Sequence, residues 1–248
     1  MKNKIIKIII LVFMILCLVG TVYYFYKIVS YKRDLTENFN IHEQIKKFVI
    51  TVDEPNEEKN ETKYKIDFES LKKQNSDTVA YLKVNNTNID HIVVKAEDNS
   101  YYLRHNFNKK WSGAGWVFAD YHNKFDGSDK NIVIYGHSML NGSMFGTLRN
   151  VLKPEWYENP DNQLITLVTE KGEYTYQVFS VYVIKAEDYY INTIFKNKTE
   201  FNKFINKIKS RSKYNFNVKV DGNDKVLTLS SCYDNNDRRV VLHAKLIK

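Results

Sequence analysis

TLSSCYDNNDRRVVLHAKL, residues 228–246, consists of two strand-like runs joined by a polar turn, and its alternation decides what kind of fold the chain can make. Successive side chains of a strand point to opposite faces. Leu227 and Leu229 therefore share one face, and Thr228, Ser230 and Cys232 share the other. In the second run Val240, Leu242, Ala244 and Leu246 form the apolar face, opposite Arg239, Val241 and His243. Arg238 has the register of the apolar face and must turn away at the strand's start. Paired as antiparallel neighbours across YDNNDR, the two runs bring Cys232 and Arg239 to one groove. A structural thiol and a nucleophile both remain open readings of Cys232, although a core cysteine belongs among the leucines.

Working outward, the same period of two recurs in TVAYLKV, IDHIVVKA, GWVFAD, NIVIYGH, QLITLVT and YTYQVFSVYVI. Gly172 and Asp221-Gly222 mark hairpin turns. YKIDFESLKKQN reads as a short helix. In TEFNKFINKIKS, Phe201, Phe204, Ile205 and Ile208 fall at helical spacing with Thr199 placed to cap them. About eight strands with one helix between the late ones predict a mainly β domain, a closed or nearly closed barrel with helical additions.

The 248 residues, 43% hydrophobic and 27% charged, suit one globular domain and exclude a disordered or collagen-like chain. The formal charge of +8 suits anionic headgroups or wall polymers as neighbours and equally a solvated basic surface. At the N-terminus, Lys2, Lys4 and Lys7 precede the uncharged run Ile8–Tyr26, long enough to cross a hydrocarbon core of ~30 Å, with Tyr23, Tyr24 and Tyr26 at its far end. An uncleaved anchor is expected over a signal peptide, because no small-residue cleavage site precedes Lys27. The expected layout is a cytoplasmic 1–7, a transmembrane 8–26, a juxtamembrane segment 27–63 and a catalytic barrel 64–248. Within 27–63, Ile41, Ile45 and Phe48 predict a short amphipathic helix, and DEPNEEKNETK an exposed linker. Cys17 lies in the span and Cys232 in the exported part, so the ectodomain carries one unpaired thiol in an oxidising compartment.

Cysteine chemistry needs a proton-transfer partner. Of His42, His91, His105, His122, His137 and His243, only His137 closes an apolar strand and leads into a Gly/Ser-rich loop, SMLNGSMFG. A lone histidine is more often structural, and on these grounds alone both readings stand.

TLSSC followed by Arg239 and VVLHAKL resembles the catalytic end of a sortase, whose hallmark is TLxTC with an arginine on the next strand. YGHSM resembles the family's histidine segment. The helical segment ahead of the barrel and the amphipathic helix near Thr199–Ser210 resemble class B members, and the likeness runs from about residue 36 to the C-terminus. Ser231, where many members have Thr, is a mild departure. The resemblance implies an eight-stranded sortase-type barrel with N-terminal helices and a single-pass anchor, placing a cysteine transpeptidase on the extracellular face of a Gram-positive membrane. Cys232 is expected to cleave a C-terminal sorting signal, NPxT-like by family analogy, after its Thr in secreted proteins. The thioester is then resolved by an amine of a peptidoglycan precursor. His137 serves as acid and base, and Arg239 as oxyanion or backbone donor. Ser230, Tyr135, Asn99, Tyr190 and Ile191 are candidate substrate contacts. Asp234 is a candidate for orienting His137, with a plain turn residue as its competing reading. No cofactor, metal or nucleic-acid partner is expected. The rivals are a non-catalytic wall-binding β-domain with an inert thiol, and another cysteine enzyme of the wall. Against the latter, no S-x-G-C segment occurs, and the order of His before Cys is the reverse of papain-like hydrolases.

Overall fold

A computed structural model describes residues 2–54, 61–185, 187–232 and 238–248. The first element, α1 (Lys2–Lys46), runs unbroken through the apolar segment and the predicted amphipathic helix. Residues 27–46 contain no Gly or Pro to interrupt it, so the two predicted elements fuse. Ile8–Tyr26 projects with its apolar side chains exposed. Further along, Asp34, Asn38, Ile41 and Ile45 recur at one-turn intervals and are buried. Asp34 Oδ2 accepts the Gly113 amide at 3.0 Å, and Asn38 Nδ2 donates to the Gly115 carbonyl at 3.0 Å. The docked face thus spends its polar groups on a loop's backbone and its isoleucines on the core.

β1 (Val49–Glu54) and β2 (Glu61–Ile66) form an antiparallel ribbon with Val49 opposite Ile66 and Thr51 opposite Tyr64. This corrects three expectations: Val49 and Ile50 are strand, not the end of the amphipathic helix; 53–54 and 61–63 are strand, not linker; and 64–66 are strand, not the start of the next helix. Lys63, Tyr64, Lys65 and Ile66 alternate, and the Tyr64 amide donates to Glu173 Oε2 at 2.9 Å, tying the ribbon to the main sheet. α2 (Phe68–Gln74) follows, capped by Asp67, whose carboxylate accepts the Ser70 amide.

Eight strands close the barrel: β3 (Thr78–Val84), β4 (Asp90–Val94), β5 (Phe118–Ala119), β6 (Asn131–Gly136), β7 (Leu164–Thr169), β8 (Gly172–Lys185), β9 (Val226–Cys232) and β10 (Arg238–Leu246). Two helices interrupt them, α3 (Pro154–Tyr157) and α4 (Lys198–Ser210). Around the barrel the order is β10-β8-β7-β3-β4-β5-β6-β9, with β9 returning to β10. β4–β5 and β6–β9 are parallel; the other pairs are antiparallel. A parallel β6–β9 pair requires a long crossover, and the chain from α3 to α4 supplies it. Gly172 takes φ 148° in the β7–β8 hairpin. Asp221-Gly222 forms a turn leading into β9, not the predicted hairpin, because no strand precedes it. Asn197, rather than Thr199, caps α4 by accepting the Glu200 amide, so the cap lies two residues earlier than expected.

Leu227, Leu229, Val240, Leu242 and Ala244 fill the barrel interior as their alternation predicts. The opposite face of the same strands is also buried. Val226, Val241, Phe179 and Tyr182 pack under Phe201, Phe204, Ile205 and Ile208 of α4. Thr228, Ser230 and His243, polar in sequence, therefore lie in a second apolar layer and are satisfied internally. Thr228 spends its one hydroxyl proton on Asn131 Oδ1 at 2.7 Å, so it accepts from His243 Nδ1 at 2.8 Å. His243 Nε2 then accepts the Tyr182 hydroxyl at 2.8 Å. Burial lowers the pKa of His243 to about 3.

Candidate active site

The barrel register brings three separate motifs to one edge. On β9, Ser231 stands beside Gly136 of β6 and Val240 of β10, while Cys232 stands opposite Arg239. His137 follows Gly136 by one residue, so His137, Cys232 and Arg239 end three adjacent strands at the same level. Neighbouring strands lie about 4.8 Å apart, which places the backbones of His137 and Arg239 about one strand to either side of Cys232. Asp234 lies outside the described residues, and Cys232 is described through its backbone register.

His137 is held from two directions. Its carbonyl accepts the Phe145 amide at 2.9 Å, folding the 138–147 loop back under it. Its Nε2 lies 2.9 Å from the Leu103 carbonyl, which can only accept, so Nε2 carries the proton and Nδ1 is left as the acceptor of the neutral ring. Burial lowers the pKa of this histidine below its ordinary value; the Leu103 carbonyl opposes that, and the charges of Arg104 and Arg239 add to it. The imidazole is accordingly neutral at neutral pH. Gly136 permits the arrangement: a Cβ there would stand 2.6 Å from Cγ of the buried Phe145 ring. Ser138, next to His137, accepts from Arg149 Nη2 at 2.8 Å.

A groove of about 240 Å³ runs past this edge, lined by Asn99, Leu103, Tyr135, His137, Ile191 and Ser230, and by Arg239. Arg239 is half-buried, and its Nη1 donates to the Arg238 carbonyl at 3.1 Å. Arg238 is exposed and faces a different cleft. The structure thus brings His137, Arg239, Asn99, Tyr135, Ile191 and Ser230 together. Tyr190 differs: it is buried in the layer beneath α4, and its hydroxyl meets Ser230 Oγ at 3.1 Å from behind the groove wall.

Sequence reasoning did not single out Asp120. This buried carboxylate accepts the Tyr135 hydroxyl at 2.9 Å and Asn99 Nδ2 at 2.7 Å on Oδ2, and the amide and ring of His122 on Oδ1. It thereby fixes two groove residues from different segments. Its one sequence signal is a carboxylate closing the short strand run GWVFAD. Leu103, whose carbonyl holds His137, carries no side-chain signal at all, because the contact is made by its backbone.

Residues 82–247 match the sortase domain family. The chain is 39% identical over 183 residues to sortase B of Listeria monocytogenes, covering 71% of this chain and 72% of that protein. It is 32% identical over 238 residues to sortase B of Staphylococcus aureus, covering 94% and 95% of the two chains. Among solved structures, sortase B from Bacillus anthracis in complex with AAEK1 superposes with a TM-score of 0.75 at 30% identity, covering 87% of this chain and 99% of that one. The eight-stranded barrel, the layer under α4 and these similarities agree: the chain belongs to the sortase family of cysteine transpeptidases, as a class B member.

Proposed function

We propose that Cys232 is the nucleophile of this transpeptidase, that His137 moves the protons and that Arg239 supports the reacting carbonyl. The substrate read here is the C-terminal sorting signal of a secreted protein, cleaved after its Thr, with an NPxT-like motif by family analogy. The acceptor is an amine of a peptidoglycan precursor, so that the product is a protein anchored to the cell wall. Ile8–Tyr26 serves as a single-pass anchor, with the lysine-flanked N-terminus inside and the barrel outside.

The observation that carries this reading is the strand register, with Arg239 opposite Cys232 and His137 one residue beyond the Gly136–Ser231 pair. A free thiol has a pKa of ≈8.5 and is mostly protonated near neutrality. The neutral His137, with Nδ1 unprotonated, suits acceptance of that proton as the sulfur attacks the Thr carbonyl carbon and the S–C bond forms. The C–N bond then breaks, and His137 returns the proton to the departing amine. In the second half the acceptor amine attacks the thioester carbon as it gives a proton to His137, the C–S bond breaks, and His137 passes that proton to the departing Cys232 sulfur. Arg239, fully charged and offering several fixed donors, stabilises the oxyanion in both halves. Asn99, Tyr135, Ile191 and Ser230 are placed to contact the signal, with Tyr190 supporting Ser230 from behind.

The test is cleavage of a panel of sorting-signal peptides with amine transfer, comparing wild type with Cys232→Ala, His137→Ala and Arg239→Ala. All three variants are expected to lose activity, Cys232→Ala completely. Full activity in Arg239→Ala together with loss in Arg238→Ala would move the role to the neighbouring arginine.

A further inference from the structure

Outside the groove, five cationic side chains from three parts of the chain converge on one cleft. Arg149 and Lys153 come from the turns before α3, Arg211 and Lys213 follow α4, and Arg238 opens β10; together they line about 830 Å³, and no carboxylate lines it among the described residues. Arg149, Lys153, Arg211 and Lys213 make no ion pair among the described residues. Three of them lie against neutral groups. Arg211 stacks over Tyr189 at 5.8 Å, the Lys213 ammonium lies 5.3 Å from the Tyr214 ring centre, and Arg149 donates to Ser138 while its Nε is buried without a partner. Aromatic and hydroxyl partners hold Arg149, Arg211 and Lys213 and leave the charge of these three unneutralised. Ordinary surfaces intersperse the two signs, whereas a cleft of one sign concentrates its field and attracts counter-ions.

The cleft shares two connections with the catalytic edge. Arg238 is the residue before Arg239, and Arg149 bonds the residue after His137.

We propose that this cleft binds a ligand with clustered phosphates, a pyrophosphate or a short run of phosphodiesters, and holds the phosphate-bearing part of the amine acceptor beside the groove. Guanidinium forks match the oxygens of a tetrahedral phosphate, and several cations favour a multiply charged anion over a lone carboxylate. The placement of the acceptor rests on the transpeptidation reading above; the binding of phosphate does not.

Full-length protein in phosphatidylcholine nanodiscs is titrated with inorganic pyrophosphate and with a short polyglycerol phosphate, using inorganic phosphate as the reference. At least one of the two is expected to bind more tightly than the reference. The tighter one separates a pyrophosphate-linked precursor from a phosphodiester polymer as the source. Arg211→Gln/Lys213→Gln, both at exposed positions, is expected to weaken that binding about tenfold, and Lys153→Gln about threefold. No preference over inorganic phosphate, or equal binding by the folded double variant, overturns the site. In transfer assays the double variant is expected to remain within about twofold of wild type on a phosphate-free peptide amine and to lose about tenfold on a phosphate-bearing acceptor. Equal loss on both acceptors overturns the placement of the acceptor. If no signal peptide is cleaved by any form while pyrophosphate binding still depends on Arg211 and Lys213, the transpeptidation reading fails and the site stands.

Discussion

Gly136→Ala tests how tightly the histidine is held. The added methyl would sit 2.6, 2.8 and 3.0 Å from Cγ, Cδ1 and Cβ of Phe145, all well inside van der Waals contact. Phe145 is fully buried in the barrel core, and its amide holds the His137 carbonyl, so neither partner has free space to yield. Overpacking of this kind costs about 1–3 kcal/mol of stability. The larger effect falls on geometry. If β6 yields rather than the ring, His137 moves, and a shift of about 1 Å at a reacting group lowers rates about 100-fold. The assay is urea unfolding alongside kcat/KM for signal-peptide cleavage. The expected result is a modest loss of stability with a disproportionate loss of kcat. Pairing the change with Phe145→Leu, which frees room beside the new methyl, is expected to recover about 1 kcal/mol relative to the sum of the single changes. Unchanged stability and unchanged kcat/KM in Gly136→Ala would refute the claim that this contact positions the histidine.

Asp120→Asn replaces a carboxylate that accepts from Tyr135, Asn99 and His122 with an amide that offers donors of its own; a loss of about 1–3 kcal/mol is expected, with KM for the peptide rising more than kcat falls, as measured by unfolding and steady-state kinetics. Acidification is expected to destabilise the fold. His91 and His243 are buried and lowered to about 3, so their folded pKa lies below the unfolded 6.5. The unfolded state then binds more protons below pH 6.5. Stability is full above that pH and falls by ~1.4 kcal/mol per unit for each group as pH drops towards 3. Unfolding midpoints at pH 7 and pH 5 measure this, and His243→Gln is expected to flatten the difference. Ile45→Ala, on the docked face of α1 at 2% exposure, is expected to cost about 2–5 kcal/mol in the same unfolding assay.

Alternation was sufficient to read the barrel strands and the inner faces of β9 and β10, because period two is a local property. It could not reveal that the outer face is covered, since α4 reaches β8–β10 only through tertiary packing. For that reason alternation set Thr228 and His243 opposite the apolar face and did not show that they are buried. The ribbon of β1 and β2 was hidden by acidic composition; its strands are short, and one leans on the barrel through Glu173. The placement of His137 and Arg239 at one barrel edge was legible from strand ends and motif order. Asp120 was not, because its partners Asn99 and Tyr135 come from separate segments joined only in the folded chain. Leu103 acts through a carbonyl, which every residue has.

In the proposed mechanism the thiol at the end of β9 carries the acyl group. Intact-protein mass spectrometry after mixing with a sorting-signal peptide measures this directly. The expected result is a mass gain equal to the peptide's N-terminal part ending in Thr, mapped to Cys232, released by hydroxylamine or an amine acceptor and absent in Cys232→Ala. Peptide cleavage that persists in Cys232→Ala, or an adduct mapped to another residue, would contradict it.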